Sequence, residues 1–73
     1  AFNSQFDLII LDPPYKSGHY DLALKIIAEK KLLSKDGIIV CERAKEEKIL
    51  NEDFNLDCTK TYGTVAVDYF VNK

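Results

Sequence analysis

Cysteine and histidine are scarce in this sequence, and their placement offers no recognisable metal site. The chain has two cysteines, Cys41 and Cys58, which form no CxxC pair, and a single histidine. Two cysteines are also too few for a disulfide scaffold. We therefore expect no metal, two free thiols buried in strands, and a reducing, cytoplasmic setting.

The sequence also lacks an excess of positive charge and a long apolar run. Its net charge is −2, so the chain as a whole offers no basic surface for phosphates. No apolar run approaches the ~20 residues needed to cross a membrane, and no basic-then-apolar leader opens the chain. If this protein acts on nucleic acid, we expect most of the basic surface to lie outside these residues.

Glycine is sparse as well, and none of the three glycines belongs to a GxG pair. A glycine-rich loop of the kind that cradles a cofactor is therefore missing. The 73 residues allow at most one small domain, and their 47% hydrophobic content is typical of a globular chain. Because the first residue is not methionine and a strand follows almost at once, we expect a piece of a longer protein.

Apolar patterns in the first part of the chain predict a strand, a helix and a second strand. Phe6–Leu11 is a nearly continuous apolar run, typical of a parallel strand covered on both faces. Residues 19–31 carry the i, i+3, i+4, i+7 apolar spacing of an amphipathic helix. Residues 32–37 are predicted to turn, with Gly37 free to take a positive φ, before a second parallel strand over residues 38–42.

The rest of the chain predicts an antiparallel hairpin. Residues 43–50 are highly charged and are expected to form a short exposed helix or loop. Strand-like runs over residues 56–62 and 65–71 flank Gly63-Thr64, and a glycine in a two-residue connection is typical of a hairpin. The predicted fold class is therefore α/β, in the order strand, helix, strand, short helix and hairpin.

The motif Asp12-Pro13-Pro14-Tyr15 carries the chemistry of this sequence. It directly follows a buried strand, and ligands of open α/β sheets bind at the carboxyl ends of the strands. The Asp12 carboxylate and the Pro13 carbonyl, whose direction the two prolines preset, offer two acceptors for an exocyclic amino group. They would draw its hydrogens out of the ring plane and localise the nitrogen lone pair, while Tyr15 stacks on the ring.

A plainer interpretation of this motif is that it only ends a strand, because proline cannot donate to a sheet ladder. The surrounding pattern favours a site, since an apolar strand precedes the motif and a short polar loop and an amphipathic helix follow it.

The stretch FDLIILDPPY resembles the fourth-strand motif of class I amino-methyltransferases. The whole chain is similar to the C-terminal portion of the RsmD family, which methylates a guanine exocyclic amino group in 16S ribosomal RNA. Supporting stretches are LLSKDG before the second strand, VCE on it, and YGT at the hairpin. The resemblance runs from Phe6 to about Val71.

This resemblance implies a Rossmann-like sheet in which the strand over 65–71 lies between those over 38–42 and 56–62. It implies that Asp12 and the Pro13 carbonyl receive the amino group, that Pro14 helps to fix the loop, and that Tyr15 stacks on the base. S-adenosyl-L-methionine would be the cofactor, bordered by Leu11 and Asp12. Residues 1–73 would be the C-terminal portion of one methyltransferase domain whose cofactor-binding half is absent, and so would not turn over alone.

Other assignments stay open at this point. An adenine-amino DNA or RNA methyltransferase shares the motif, whereas the related glutamine-methylating enzymes usually carry Asn at position 12. A small interaction module that docks through Pro13-Pro14-Tyr15 is a different class. The implied partner is ribosomal RNA or the small ribosomal subunit. Because loss of the preceding strands would expose the edge of the strand over Phe6–Leu11, we also expect this piece to self-associate there.

Overall fold

A four-stranded sheet backed by one helix forms the part of the chain that the computed structural model describes, residues 5–11 and 20–73. The elements are β1 (Phe6–Leu11), α1 (Tyr20–Glu29), β2 (Leu33–Ala44), β3 (Phe54–Tyr62) and β4 (Val65–Asn72). The strand order is β1-β2-β4-β3, with β1 and β2 parallel and the other pairs antiparallel. This order confirms the predicted α/β class and the placement of the last strand between the other two.

The apolar stripe of α1 packs on one face of the sheet. Tyr20, Leu24 and Ile27 are buried, at the helical spacing expected from the sequence, and they join a core cluster with Ile39 and Phe70 of the sheet. The opposite side of the helix carries exposed charged residues, and an acidic residue lies in the first turn, where the helix dipole favours it. Burial of this apolar stripe and the favourable charge in the first turn therefore both stabilise the helix.

The predicted end of α1 near Lys31 is confirmed, since the helix ends at Glu29. The left-handed conformation that was predicted for Gly37 is instead taken by Lys31. Lys31 has a φ of 51°. The Leu32 amide donates to the Ile27 carbonyl at 3.0 Å, and the Lys31 amide donates to the Ala28 carbonyl at 3.2 Å. These two bonds form a Schellman motif, which ends the helix and satisfies its last carbonyls.

The predicted turn over residues 32–37 is wrong, because β2 already begins at Leu33. The register passes from Phe6↔Leu33 to Leu8↔Ile38, so the extra residues are accommodated as an irregularity within the strand. A Cβ added at Gly37 would lie 2.5 Å from Leu33 Cδ1 and 3.1 Å from the Phe6 carbonyl oxygen. Glycine is therefore required at this position by close packing and not by a left-handed backbone.

No helix forms in residues 43–50, so the short-helix alternative of the prediction is wrong and the loop alternative holds. Arg43 and Ala44 still belong to β2, and the residues after them are turn or irregular. The Lys45 amide donates to the Thr64 carbonyl at 2.9 Å, and the Glu47 amide donates to the Ala44 carbonyl at 3.1 Å. The charged run over 45–48 is exposed, and with few apolar positions it has no stripe to bury.

The closing hairpin confirms the prediction from sequence. Tyr62 pairs with Val65 across the two-residue turn, and Gly63 has a φ of 61°. A glycine with positive φ at the first turn position, followed by a residue with ordinary φ, is the pattern of a type II′ turn. This turn sets the register that brings β4 between β2 and β3.

The two faces of the sheet are covered unequally. No described element covers the face of β1 that carries Phe6, Leu8 and Ile10, whose exposed fractions are 52%, 56% and 63%. The prediction that this strand is covered on both faces is therefore wrong for the described residues. Of the two free cysteines, Cys41 is buried as predicted, whereas Cys58 lies in a strand but is exposed.

Candidate active site at the rim of the sheet

The structure describes the frame on both sides of the predicted motif. Leu11 is the last residue of β1, and Tyr20 is the first residue of α1. The predicted catalytic residues Asp12, Pro13, Pro14 and Tyr15 all lie outside the described residues, so their roles stay predictions. The described frame of the candidate site consists of the end of β1 and the start of α1.

The Tyr20 hydroxyl joins the carboxyl ends of the two parallel strands. It lies 3.0 Å from the carbonyl oxygen of Leu11 and 2.5 Å from the carbonyl oxygen of Glu42. A phenol has one hydrogen, so the two carbonyls share one donor, with the shorter contact at Glu42. The tyrosine ring is 8% exposed and belongs to the core cluster. The Tyr20 ring is therefore packed in the core, while its hydroxyl lies at the rim formed by the carboxyl ends of β1 and β2.

Leu11 is half-buried and packs against the core cluster under α1. Its register partner on β2 is Cys41, so β1 ends beside the carboxyl-terminal half of β2. The predicted role of Leu11 as a border of the cofactor stays a prediction, as does that of Asp12, which lies outside the described residues. Glu42, near the same rim, is exposed.

A second polar cluster is centred on Asp68 of β4 and joins it to Arg43 of β2 and Thr59 of β3. Arg43 Nε lies 2.7 Å from Asp68 Oδ2, and the Thr59 hydroxyl donates to Asp68 Oδ1 at 2.6 Å. The Arg43 Nη2 also donates to Asp68 Oδ1 at 3.2 Å, while Nη1 donates to the carbonyls of Ala44, Lys45 and Glu47. Asp68 is 3% exposed, so this carboxylate needs such partners.

The Arg43 cluster has a structural role. The hydrogen bond from the guanidinium to Asp68 is the main cause that raises the pKa of Arg43 above its usual value. All three guanidinium nitrogens have partners within the chain. Arg43 is therefore committed to the sheet and to the loop after β2, and it is not a free cation for a phosphate.

The buried thiol of Cys41 does not behave as a nucleophile. Burial, with a smaller contribution from the nearby Asp68 charge, raises its pKa to about 12. The thiolate is the reactive form of cysteine, so Cys41 is inert at neutral pH. Within residues 5–11 and 20–73, no group of three or more histidine, cysteine or acidic side chains is placed to hold a metal ion.

The described residues supply only a small part of what a cofactor site requires. Gly37 lies in the irregular first half of β2, and Gly63 lies in the turn of the β3–β4 hairpin, which β2 separates from β1. Neither of these glycines lies beside Leu11, whose register partner on β2 is Cys41. The described residues 5–11 and 20–73 therefore hold no glycine-rich loop at the end of β1 of the kind that cradles a cofactor.

Sequence reasoning missed the polar functions of Tyr20 and Asp68. Tyr20 was expected only as one member of the apolar stripe of α1, since helical spacing says nothing about where a hydroxyl ends. Asp68 alternates with Ala66 and Phe70, which places it on the buried face of β4. That alternation was a usable signal that the Asp68 carboxylate needs a partner. The sequence could not show that the partner is Arg43, because this depends on the register of β2 against β4.

In the described part of the chain, the single helix is too short and too polar to traverse a bilayer.

Comparison with known proteins gives a consistent picture. The family model described as "Conserved hypothetical protein 95" matches residues 1–71. YlbH of Bacillus subtilis (strain 168), provisionally named an rRNA methyltransferase, is 38% identical over 61 residues, which cover 81% of this chain and 33% of YlbH. The ribosomal RNA small subunit methyltransferase D of Buchnera aphidicola subsp. Acyrthosiphon pisum (strain APS) is 31% identical over 48 residues, covering 66% of this chain and 25% of that protein.

Solved structures share the fold. A conserved hypothetical protein from Streptococcus pyogenes superposes with a TM-score of 0.85 at 31% identity, over 99% of this chain and 46% of that one. HI0767 from Haemophilus influenzae, provisionally named a methylase, gives a TM-score of 0.79 at 25% identity, over 96% and 44% of the two chains. The chain thus spans a third or less of the curated relatives and under half of these structures. By its match over residues 1–71 and its Rossmann-like sheet, this chain belongs to the RsmD family.

Proposed function

We propose that this chain is the substrate-side part of an S-adenosyl-L-methionine-dependent enzyme that methylates a guanine exocyclic amino group in small-subunit ribosomal RNA. The proposal is supported by the sequence position of the Asp12-Pro13-Pro14-Tyr15 motif, which directly follows Leu11, the last residue of β1, because ligands of open α/β sheets bind at the carboxyl ends of the strands. Membership of the RsmD family supports the same chemistry.

In this proposal, the Asp12 carboxylate and the Pro13 carbonyl accept the two hydrogens of the amino group. The nitrogen lone pair, no longer delocalised into the ring, would be free to accept a methyl group. S-adenosyl-L-methionine, when bound, would supply that group from its sulfonium, the sulfur would keep the electron pair of the broken bond as a neutral thioether, and one amino proton would pass to solvent. Tyr15 stacks on a base that has left the RNA stack. Pro14 restricts the loop, and Leu11 and Asp12 border the methyl donor.

The proposed partner is ribosomal RNA, free or within the small ribosomal subunit, and the proposed location is the cytoplasm. Because this chain covers 33% of YlbH, most contacts to the methyl donor and to RNA are assigned to residues outside it. The 73 residues are therefore proposed to be inactive alone.

The first prediction tests this assignment with a chimera in which the chain replaces the matching segment of YlbH. We expect the chimera to transfer methyl groups to small-subunit RNA and the 73-residue chain to transfer none. Asp12→Ala should lower the rate at least ~100-fold, as expected for a group that acts on the reacting atom. Asp36→Ala, which changes an exposed aspartate of β2, should leave the rate unchanged.

The substrates offered are small subunits, free ribosomal RNA and duplex DNA, and mass spectrometry of the digested product identifies the methylated base. If the methylated base is adenine, the proposed target changes from the guanine amino group to the adenine amino group. Full activity of Asp12→Ala, or turnover by the 73-residue chain alone, would contradict it.

A further inference from the structure

The first residue of α1 controls the point where the chain leaves β1. Tyr20 is fixed at its ring end by the core, with 8% exposure, and at its hydroxyl end by the carbonyls of Leu11 and Glu42, at 3.0 and 2.5 Å. One residue therefore links the helix after the motif to the strand before it and to the neighbouring strand.

We propose that Tyr20 is a positioning residue for the reaction, an inference that rests on the function proposed above. The peptide unit is planar, so the Leu11 carbonyl oxygen, the Asp12 nitrogen and the Asp12 Cα lie in one plane. A hydroxyl that holds the Leu11 oxygen fixes the orientation of this plane and with it the starting direction of the motif.

The contact with Glu42 adds a second constraint. Because one hydroxyl lies within hydrogen-bond distance of both carbonyls, it links the Leu11 peptide to β2 just past the last ladder pair, Leu11↔Cys41. Catalytic groups must be held within about 0.5 Å of their productive positions, so such a constraint acts on the rate.

A merely structural role would give a different result. If Tyr20 only satisfies two carbonyls, its loss lowers stability and leaves the rate of the folded enzyme intact. If it positions the motif, its loss lowers kcat in the folded enzyme while the KM for S-adenosyl-L-methionine, whose site lies largely outside this chain, stays within about twofold.

The test compares Tyr20→Phe with Tyr69→Phe in the YlbH chimera. Both variants lose one hydroxyl, but Tyr69 lies on β4 with its ring next to the Lys60 ammonium, away from β1. We expect Tyr20→Phe to lower kcat about tenfold, the loss that one hydrogen bond supports, and Tyr69→Phe to leave kcat unchanged. Replacing Tyr20 by 4-aminophenylalanine, which keeps a donor at the same place, should restore kcat to within about threefold.

A second readout does not depend on activity. In the 73-residue chain labelled with carbon-13, Tyr20→Phe should move the carbonyl resonances of Leu11 and Glu42 and leave that of Leu56, on the distant strand β3, in place. Full kcat in Tyr20→Phe, or unmoved carbonyl resonances, overturns the role of Tyr20. An inactive parent chimera overturns the proposed function instead, and the carbonyl resonances then decide whether Tyr20 fixes the Leu11 peptide.

Discussion

At the scale of single residues, the buried carboxylate of Asp68 is the most demanding feature of this chain. Its side chain is 4% exposed, and that of its partner Arg43 is 13% exposed. A charge so far from water is tolerated only with good partners, and Asp68 has them in Arg43 and the Thr59 hydroxyl. We therefore expect this pair to favour the observed pairing of β2, β4 and β3 more than it adds net stability.

The second prediction concerns this pair. Asp68→Ala should lower the free energy of unfolding by about 3–5 kcal/mol, because it leaves the Arg43 charge without its carboxylate. Asp57→Ala, which removes an exposed aspartate of β3, is the control and should change it by less than about 0.5 kcal/mol. Urea unfolding of both variants measures the difference, and equal stability of the two would show that the pair is dispensable.

At the scale of secondary-structure elements, Lys31 holds a conformation that suits glycine better. Its φ of 51° belongs to the left-handed region, where a Cβ is unfavourable. The Schellman bonds at Leu32 and Lys31 nevertheless require a residue in this conformation after the helix. The end of α1 is therefore fixed by hydrogen bonds at the expense of local backbone energy.

The third prediction follows from that conformation. Lys31→Gly should raise the free energy of unfolding by roughly 1 kcal/mol, because the strain of the Cβ is removed. Lys30→Gly should not stabilise the chain, since Lys30 has no positive φ. Thermal unfolding measures both, and an equal effect of the two substitutions would argue against strain at Lys31.

The sequence predicts elements whose signal is local. The stripe of α1, the strand before the motif and the Gly63 turn each depend on spacing or on residue type within one segment, and all three are confirmed. The turn over residues 32–37 was wrong because the need for Gly37 comes from the Leu33 side chain and the Phe6 carbonyl. The second contact belongs to a neighbouring strand, which no local pattern reveals.

The candidate site follows the same rule. The motif at positions 12–15 is visible in the sequence because its residues are contiguous. The hydroxyl of Tyr20 reaches Glu42, a residue 22 positions away, through a parallel pairing of β1 and β2. A contact of this kind depends on register and helix placement, so it could be found only once the sheet was known.

At the scale of the whole molecule, β1 forms the edge of the described sheet and presents an apolar surface. A cavity of about 450 Å³ lies beside it, lined by apolar residues of β1 and α1 that include Leu8, Leu11 and Ile26. The strand pairs only with β2 in the part of the chain that the structure describes. Such an edge invites pairing with another strand, so we propose that the isolated 73-residue chain self-associates through β1.

The fourth prediction tests this edge. At micromolar concentration the 73-residue chain should sediment as a dimer or larger species, and Ile10→Lys should shift it toward the monomer because a charged lysine blocks edge pairing. Leu50→Lys, at a position that is 71% exposed in the loop after β2, should leave the association unchanged. A monomeric parent chain would rule out the proposed contact.

The strand order also governs when this sheet can be completed during synthesis. Among the described strands, β3 pairs with β4 alone, and β4 follows β3 in the chain. A nascent polypeptide that has emerged only as far as Tyr62 therefore has no described neighbour to receive its newest strand. We expect residues 54–62 to wait for the next strand to leave the ribosome, so that the two strands join the sheet together as one hairpin.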